Sequence, residues 1–299
     1  MFGILYLLSV DIGNVNDLTL KALHALNSGE YFVVEDTRVF AELLKRVSTT
    51  SSPLTFSHES IRKKIISFHD YSEKMKIDKI ISLLKEGNDI YLVSDAGSPI
   101  ISDPAYPLIE QALKNDIQLK SIPGVSSLII GLELSGLPPY PFHFFGFFPR
   151  ENSKQEKIIK ILERTSGTSI FFESPKRLIE TVDLLVTKLF SKSRSNNSTR
   201  FAICRELTKK FESVYRFNIN EWSEIKESII LKGEFCILLN IDEETANLGK
   251  TNQTDQELVI LAEEIIKVGA KKKLLAKLLG QILDKNSKEI YQKLNIVSK

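Results

Sequence analysis

Short, almost uninterrupted apolar runs alternate with amphipathic segments through the first 117 residues of the chain. The apolar runs are Ile4–Val10, Tyr31–Val34 and Ile90–Ser94, and a pattern typical of a helix follows each of them. Strands that are apolar on both faces belong to parallel sheets, because helices must bury both faces. The alternation therefore predicts a mainly parallel α/β lobe over residues 1–117. Asp17 is expected to cap the helix that follows the first strand.

The strands predicted after residue 117 lie closer together, and they include a hairpin between residues 201–205 and 214–219. Such spacing indicates a mixed sheet, so a second α/β lobe is expected over residues 118–242, opened by a strand that runs into Ile122. A basic, mostly helical crossover is predicted over residues 61–86. The polar stretch that begins at residue 243 is typical of a linker, and a small helical module is expected over residues 254–299.

Composition excludes several classes of protein. The net charge of +2 does not favour a free-standing nucleic-acid coat protein. The longest apolar run is too short to span a membrane, and the first residues predict a strand, not a signal peptide, so a cytoplasmic protein is expected. Cys204 and Cys236 predict reduced core thiols, and no histidine or cysteine pair has metal-ligand spacing. No metal is expected.

The glycine pattern excludes three common kinds of site. The chain contains no G-x-G-x-x-G, no G-x-x-x-x-G-K-[ST] and no G-x-S-x-G motif. A dinucleotide-binding Rossmann domain, a P-loop and a hydrolase nucleophile elbow are therefore not predicted.

The most informative segment is the loop Ser94–Pro104, which follows an apolar strand and contains small residues, two aspartates and two prolines. Ligands of open α/β sheets bind at the carboxyl ends of strands, where this loop must lie. Small residues let the backbone approach a ligand, and prolines restrict the shape of the loop. Similar polar loops end other strands, at Val10–Asn14, Glu35–Arg38, Pro123–Ser127, Glu173–Arg177 and Arg205–Lys209.

The order of these blocks resembles the family of ribosomal RNA small subunit methyltransferase I, a branch of the tetrapyrrole methylase superfamily. The resemblance implies a two-domain fold with S-adenosylmethionine in the cleft, usually in a homodimer. It also implies methyl transfer to the ribose 2′-OH of a cytidine in the decoding region of 16S rRNA. The blocks are Leu5-Tyr6, Ile12–Asn14, Glu35–Arg38, Ser94–Pro104, Ser135–Pro138, Gly146–Arg150, Glu173–Pro175, Arg205–Lys209 and Gly233-Glu234.

The resemblance also implies which residues contact the cofactor. They come from the loop after the strand 90–94, from a facing pair of serines, and from a late segment of the second lobe. These residues are Asp95, Ala96, Gly97, Ser98, Ile101, Ser102, Ser126, Ser127 and Gly233. The chain departs from the family at Val10-Asp11, where the family usually has Thr-Pro.

A ribose hydroxyl is a weak nucleophile unless a base accepts its proton during the attack. The carboxylates expected near strand ends are Asp36, Glu173 and Glu206. Arg38, Arg177, Arg205 and Lys209 are the candidate phosphate or oxyanion partners. The alternative for each carboxylate is a salt bridge with the neighbouring cation in the sequence, so no single base is assigned.

The charge is unevenly distributed along the chain. Residues 188–216 hold eight lysines and arginines against two glutamates, a net charge of +6. Such a segment suits the phosphate backbone of the small-subunit rRNA, although a solvated loop without a partner is the alternative. The candidate RNA-binding residues are Lys188, Lys192, Arg194, Arg200, Lys209 and Lys210. The helical tail is compatible with a helix-turn-helix or with a dimer-stabilising module.

Two other functions stay open at the level of sequence. The first is a C-methyltransferase of tetrapyrroles of the precorrin type, which the basic segment and the helical tail disfavour. The second is a non-catalytic ribosome-assembly binder that has lost methylation, which Asp11 in the first loop motivates.

Overall fold

The computed structural model of the protein describes residues 1–49, 63–68, 73–101, 105–190, 199–243, 246, 262, 265–266, 271–283 and 286–296. In this part of the chain no helix is long and apolar enough to cross a membrane.

The first sheet has five strands, all parallel, in the order β3-β2-β4-β1-β5. All its strands end at the same edge, which brings the polar loops that follow them together. The strands are β1 (Ile4–Leu8), β2 (Tyr31–Val34), β3 (Lys64–Ser67), β4 (Ile90–Val93) and β5 (Gln118–Ile122).

Helices cover both faces of this sheet, as the apolar strands predict. Leu5 faces a core that α3 and α4 close, whereas Leu8 faces a second core closed by α1 and α2. The helices are α1 (Leu20–Ser28), α2 (Thr37–Thr49), α3 (Glu73–Lys85) and α4 (Tyr106–Lys114).

Three expectations for this lobe are wrong in detail. The predicted helical crossover contains the strand β3, which pairs with β2. As an edge strand with one neighbour it needs little apolar sequence, and its KIIS segment gave no clear strand pattern. Helix α1 is capped by Thr19, whose Oγ1 accepts from the Ala22 N–H at 3.1 Å, and not by Asp17. The strand β5, expected to open the second lobe, pairs with β1 in the first sheet.

The second sheet is mixed, as predicted, with the order β6-β7-β10-β8-β9. Strands β6 and β7 are parallel, and the other neighbours are antiparallel, including the predicted β8–β9 hairpin. The strands are β6 (Phe142–Phe147), β7 (Gly167–Glu173), β8 (Thr199–Arg205), β9 (Ser213–Asn218) and β10 (Phe235–Ile241).

Helix α5 (Ser127–Ser135) packs on one face of the second sheet, and α6 (Asn152–Leu162) and α7 (Leu178–Phe190) pack on the other. Short helical turns follow β9 and include α8 (Trp222–Ile225). In the tail, α9 (Lys272–Leu283) and α10 (Ser287–Ile296) pack against each other. The part of the predicted helical module that precedes residue 271 lies mostly outside the described residues.

Candidate active site

A cavity of about 400 Å³ lies between the two lobes. Its walls come from the loop after β4, the start of α5, the end of β7 and the turn that leads into β10. The described residues that line it are Ile12, Ala96, Gly97, Ser98, Ile101, Ser126, Ser127, Leu128, Phe147, Phe172, Glu173, Ser174, Pro175, Cys204, Leu207, Gly233, Glu234, Phe235 and Cys236.

Backbone hydrogen bonds hold the loop after β4 against the loop after β1. The Val10 N–H donates to the Gly97 carbonyl at 2.8 Å, and the Gly97 N–H donates to the Asp11 carbonyl at 3.1 Å. Gly97 has a φ of +68°, and a Cβ at this position would lie 3.3 Å from Ile12 Cγ2. The sharp turn therefore requires glycine, and it presents backbone to the cavity.

The start of α5 forms a polar part of the wall. Ser126 is the N-cap residue, and Ser127 is the first residue of the helix. The first N–H groups of a helix have no partner within the helix and carry a partial positive charge. This end of the cavity suits an anionic group such as a carboxylate.

Two thiols form part of the apolar wall. Cys204 and Cys236 are paired residues of β8 and β10, and both line the cavity. Burial raises the pKa of the Cys204 thiol to about 12, and it raises the pKa of Cys236 as well. Both thiols are therefore neutral near pH 7 and act as small apolar side chains, since only a thiolate is a strong nucleophile.

An ionic cluster borders the cavity where β8 ends and β10 begins. Lys209 Nζ lies 3.1 Å from Glu206 Oε1 and 2.8 Å from Glu234 Oε2. Burial alone would raise the pKa of Glu206, but the Glu234 N–H and Lys209 outweigh it and lower that pKa. Gly233 has a φ of +92°, and a Cβ there would lie 2.4 Å from Glu206 Cδ. The cluster therefore packs tightly against the Gly233 backbone.

The same cluster joins the two lobes. The Lys209 side chain lies against Gly13, where an added Cβ would be 2.3 Å from Lys209 Cε. The Asn14 Nδ2–H donates to the Thr208 carbonyl at 3.0 Å. These contacts link the loop after β1 to the loop after β8, so they set the spacing of the cavity walls.

Seven of the nine residues assigned to the cofactor line the cavity. Asp95 is not among the described lining residues, and its Oδ1 accepts from the Asp36 N–H at 3.1 Å. Ser102 lies outside the described residues.

Glu173 is the one candidate base that lines the cavity within the described chain. Its buried carboxylate accepts from the Ser174 N–H at 2.8 Å and from Thr181 Oγ1 at 2.7 Å. Arg177 Nη1 lies 3.4 Å from Glu173 Oε1. Arg177 also donates to the Phe148 and Pro149 carbonyls, at 3.0 Å each. Glu173 therefore forms the salt bridge that was the alternative to a role as base, and it also lines the cavity.

The other candidates lie elsewhere. The Arg38 guanidinium holds Asp36 through two nitrogens and keeps the pKa of that carboxyl well below its usual range. Arg205 donates to the Lys232 carbonyl at 2.7 Å and to the Phe211 carbonyl at 2.9 Å. None of these three is among the described residues that line the cavity.

The candidate RNA-binding residues occupy different environments. Lys188 and Lys210 are exposed, Arg200 is half-buried on β8, and Lys209 is held by the ionic cluster. Lys210 Nζ lies 5.6 Å above the ring of the exposed Phe211. Lys192 and Arg194 lie outside the described residues.

Sequence reasoning missed the aromatic part of the cavity wall, formed by Phe147 and Phe172. A signal was present, because a glycine within a strand pattern, here Gly146, indicates a bulge or a close approach. The two cysteines were expected on strands but not at the cavity.

Comparison with known proteins agrees with the fold. The family profile "Tetrapyrrole (Corrin/Porphyrin) Methylases" matches residues 5–222. Ribosomal RNA small subunit methyltransferase I of Streptococcus pyogenes serotype M3 is 34% identical over 294 residues, covering 97% of this chain and 94% of that protein. The same enzyme of Halalkalibacterium halodurans is 35% identical over 237 residues, covering 79% and 75%.

Among solved structures, the fold is similar to uroporphyrin-III C-methyltransferase from Thermus thermophilus in complex with S-adenosylhomocysteine. The TM-score is 0.50 at 14% identity, and the match covers 80% of this chain and 97% of that one. The family profile and the near full-length relatives, together with the two-sheet fold, show that this chain is a methyltransferase. It belongs to the family of ribosomal RNA small subunit methyltransferase I.

Proposed function

We propose that the protein transfers a methyl group from S-adenosylmethionine to the ribose 2′-OH of a cytidine in 16S rRNA. We propose cytidine 1402, in the decoding region, as that nucleotide, because the resemblance to the family implies it. The observation that carries the proposal is the cavity between the lobes, which collects seven of the nine residues assigned to the cofactor. Relatives named for small-subunit rRNA methylation, matched along nearly the whole chain, support the substrate class.

The cavity suits this cofactor in size and in chemistry. Its volume lies at the lower end of ligand pockets, which span about 300–1,000 Å³. The start of α5 suits the carboxylate of the methionine part, and Leu128, Phe172 and the neutral thiols offer an apolar wall to the adenine and the thioether carbons. We assign Ala96, Gly97, Ser98, Ile101, Ser126, Ser127 and Gly233 to the contacts with it.

S-adenosylmethionine, when bound, supplies an electrophilic methyl group on a sulfonium sulfur. The 2′-oxygen forms a bond to this carbon as the carbon–sulfur bond breaks, and the hydroxyl proton must leave. Alignment of the two reacting groups accounts for up to about 7–11 kcal/mol of rate acceleration in favourable systems. We assign this alignment to the cavity walls that the Lys209 cluster and the Asn14–Thr208 hydrogen bond hold together.

We propose Glu173 as the group that accepts the proton. It is one of two carboxylates, with Glu234, among the described residues that line the cavity, and its donors fix its orientation. Asp36 is not proposed as the base, because it is not among the described residues that line the cavity. Arg177 holds the strand end beside Glu173 and balances its charge.

The RNA contacts are proposed for Lys188, Lys210 and Arg200, with the residues Lys192 and Arg194 of the same basic segment. A net charge of +6 over residues 188–216 favours phosphate contacts that weaken with salt. We also propose a cytoplasmic homodimer. Sedimentation velocity tests the dimer, since it should report twice the chain mass of 33.9 kDa.

The test of the function uses small ribosomal subunits from a strain that lacks this protein. Purified full-length protein and labelled S-adenosylmethionine should add one ribose methyl group to 16S rRNA. Primer extension at limiting nucleotide concentration should then stop at one new position, in the decoding region. Calorimetry on the same preparation measures cofactor binding.

The outcomes separate the alternatives. Labelling of precorrin extracts with no labelling of subunits would favour a tetrapyrrole methyltransferase. Subunit binding with no cofactor binding would favour a non-catalytic assembly binder. That reading was motivated by Asp11, which is buried against Arg46 and is not among the described lining residues. An unchanged stop pattern would overturn the proposed function.

A further inference from the structure

Phe147, the last residue of β6, lines the cavity and yet remains 60% exposed. Most of its surface is therefore open to a ligand. Ile101, from the loop after β4, also lines the cavity and is 45% exposed. Each lobe thus contributes one exposed apolar side chain to the wall of the same cavity.

A β-bulge directs Phe147 toward this cavity. In the pairing of β6 with β7, Phe144 lies opposite Ile170 and Phe147 lies opposite Phe172. On β6 two residues lie between these positions, whereas on β7 only one residue lies between them. Gly146, which lies within this bulge, has a φ of +71°. Because side chains alternate along a strand, the extra residue changes the face on which Phe147 lies.

The ring contacts show the result of this change. Phe144 and Phe147 both contact the ring of Phe172, at centroid distances of 5.0 and 5.6 Å. Phe145 and Phe148 instead contact Phe171 on the opposite face of the sheet. In a regular strand, residue 147 would lie on the other face of the sheet from Phe144 and would point away from the cavity.

The backbone beside Phe147 is held from two sides. The Arg177 guanidinium donates to the Phe148 and Pro149 carbonyls, at 3.0 Å each, and the Phe148 N–H donates to the Phe172 carbonyl at 3.2 Å. The ring is therefore positioned before any ligand arrives, which lowers the entropic cost of binding.

We infer that Phe147 is the surface on which the base of the acceptor nucleotide stacks, an inference that rests on the proposed function. A cavity of about 400 Å³ holds one small ligand, so the acceptor must approach through the mouth where Phe147 lies. Proteins that recognise unstacked RNA bases stack them on aromatic side chains. A flat, exposed and fixed ring beside the reaction site has the properties of such a surface.

The experiment compares Phe147→Ala, Phe147→Leu and Phe147→Tyr in the full-length protein. Methylation kinetics are measured on small subunits from the strain that lacks the protein. Phe147→Ala and Phe147→Leu should lower kcat/KM by about tenfold to a hundredfold, mostly through KM, which is the loss expected for one base–aromatic stack. Phe147→Tyr, which keeps the flat ring, should stay within about threefold of the unmodified protein.

Phe142→Ala is the matched control, because Phe142 lies on the same strand, is 40% exposed and is not among the described lining residues. It should leave kcat/KM unchanged. The dissociation constant of S-adenosylmethionine, measured by calorimetry, should change less than twofold in every variant. Urea unfolding and sedimentation velocity verify that fold and assembly are retained.

Several results would overturn the inference. They are a cofactor affinity that falls as far as kcat/KM in Phe147→Ala, an equal loss in Phe147→Tyr, or a change of oligomeric state in Phe147→Ala. Full activity of Phe147→Ala beside an active unmodified protein would overturn this inference and leave the proposed function intact. An inactive unmodified protein would overturn the proposed function, and the inference with it.

Discussion

Asp11 and Arg46 form an ion pair that joins the loop after β1 to helix α2. Asp11 Oδ1 lies 2.9 Å from Arg46 Nη1, and the Asp11 side chain is only 1% exposed. The same oxygen accepts from the Gly13 N–H at 2.8 Å. Since the backbone of Asp11 also pairs with Gly97, this ion pair supports the loop that forms one wall of the cavity.

Replacing Arg46 should therefore destabilise the protein, because it leaves the buried Asp11 carboxylate without its counter-charge. We expect Arg46→Met to lower the free energy of unfolding by about 1–3 kcal/mol, less than for a fully buried pair because Arg46 is 35% exposed. Urea denaturation measures this change. Arg38→Met is the control: its partner is Asp36 and it is 89% exposed, so a much smaller loss than in Arg46→Met is expected. Equal losses would contradict the role of burial.

Gly233→Ala should weaken cofactor binding. The added Cβ would overlap the Glu206 carboxylate and displace the ionic cluster with Lys209. We expect a dissociation constant for S-adenosylmethionine raised about tenfold, measured by calorimetry. Gly87→Ala provides the control, because Gly87 has a similar φ, +95° against +92°, but a Cβ there would meet only the Met1 carbonyl, at 3.3 Å. If both variants weaken binding alike, the loss comes from a general effect on the fold and not from crowding of the Glu206 carboxylate.

The elements with a strong local pattern could be predicted from sequence. Strand β2 has the predicted ends, and the predicted hairpin forms between β8 and β9. The parallel and mixed sheets follow from the spacing of the apolar runs. The loop Ser94–Pro104 was expected at the carboxyl end of β4, and four of its residues line the cavity. Local chemistry decides these features, so one sequence is enough to predict them.

Features that depend on distant partners could not be predicted. Arg46 is the counter-charge of Asp11 only because α2 packs beside the first loop, 35 residues away. Residues 64–67 form the strand β3 because they pair with β2, and β5 belongs to the first sheet because it pairs with β1. Periodicity reports how a segment is buried, but it does not report which strand lies next to it. Gly146 indicates a bulge, but only the pairing of β6 with β7 shows that the bulge directs Phe147 toward the cavity.

The Lys209 cluster predicts a definite dependence of stability on pH. Since the pKa of Glu206 is lowered, its contribution is present above the ordinary value of 4.5 and is lost as pH falls through the folded value. The pKa of Lys209 is raised, because its pairs with Glu234 and Glu206 outweigh burial. Its contribution is present below 10.5 and is lost as pH rises through the folded value.

Lys209→Met should therefore lower the free energy of unfolding most between about pH 5 and pH 10, with a smaller difference on either side. Urea denaturation across this range measures the profile. Lys210→Met should give a small difference with no such plateau, because Lys210 is exposed and contacts the Phe211 ring. If the difference in free energy of unfolding between the unmodified protein and Lys209→Met did not change with pH, the assignment of the cluster would be contradicted.

Glu173→Gln should separate proton acceptance from binding. The amide keeps the shape of the side chain, and one of its ends can still accept from the Ser174 N–H, but it cannot take up the 2′-OH proton. We expect kcat to fall by about 10²–10⁴, the usual range for loss of a general base, with an unchanged affinity for S-adenosylmethionine. Asp36→Asn should lower kcat less than tenfold, since Asp36 is not among the described residues that line the cavity. Thr181→Val, which removes the 2.7 Å hydrogen bond to Glu173 Oε2, should have an intermediate effect through the orientation of the carboxylate. The reverse order, with Asp36→Asn inactive and Glu173→Gln active, would move the base from the end of β7 to the end of β2.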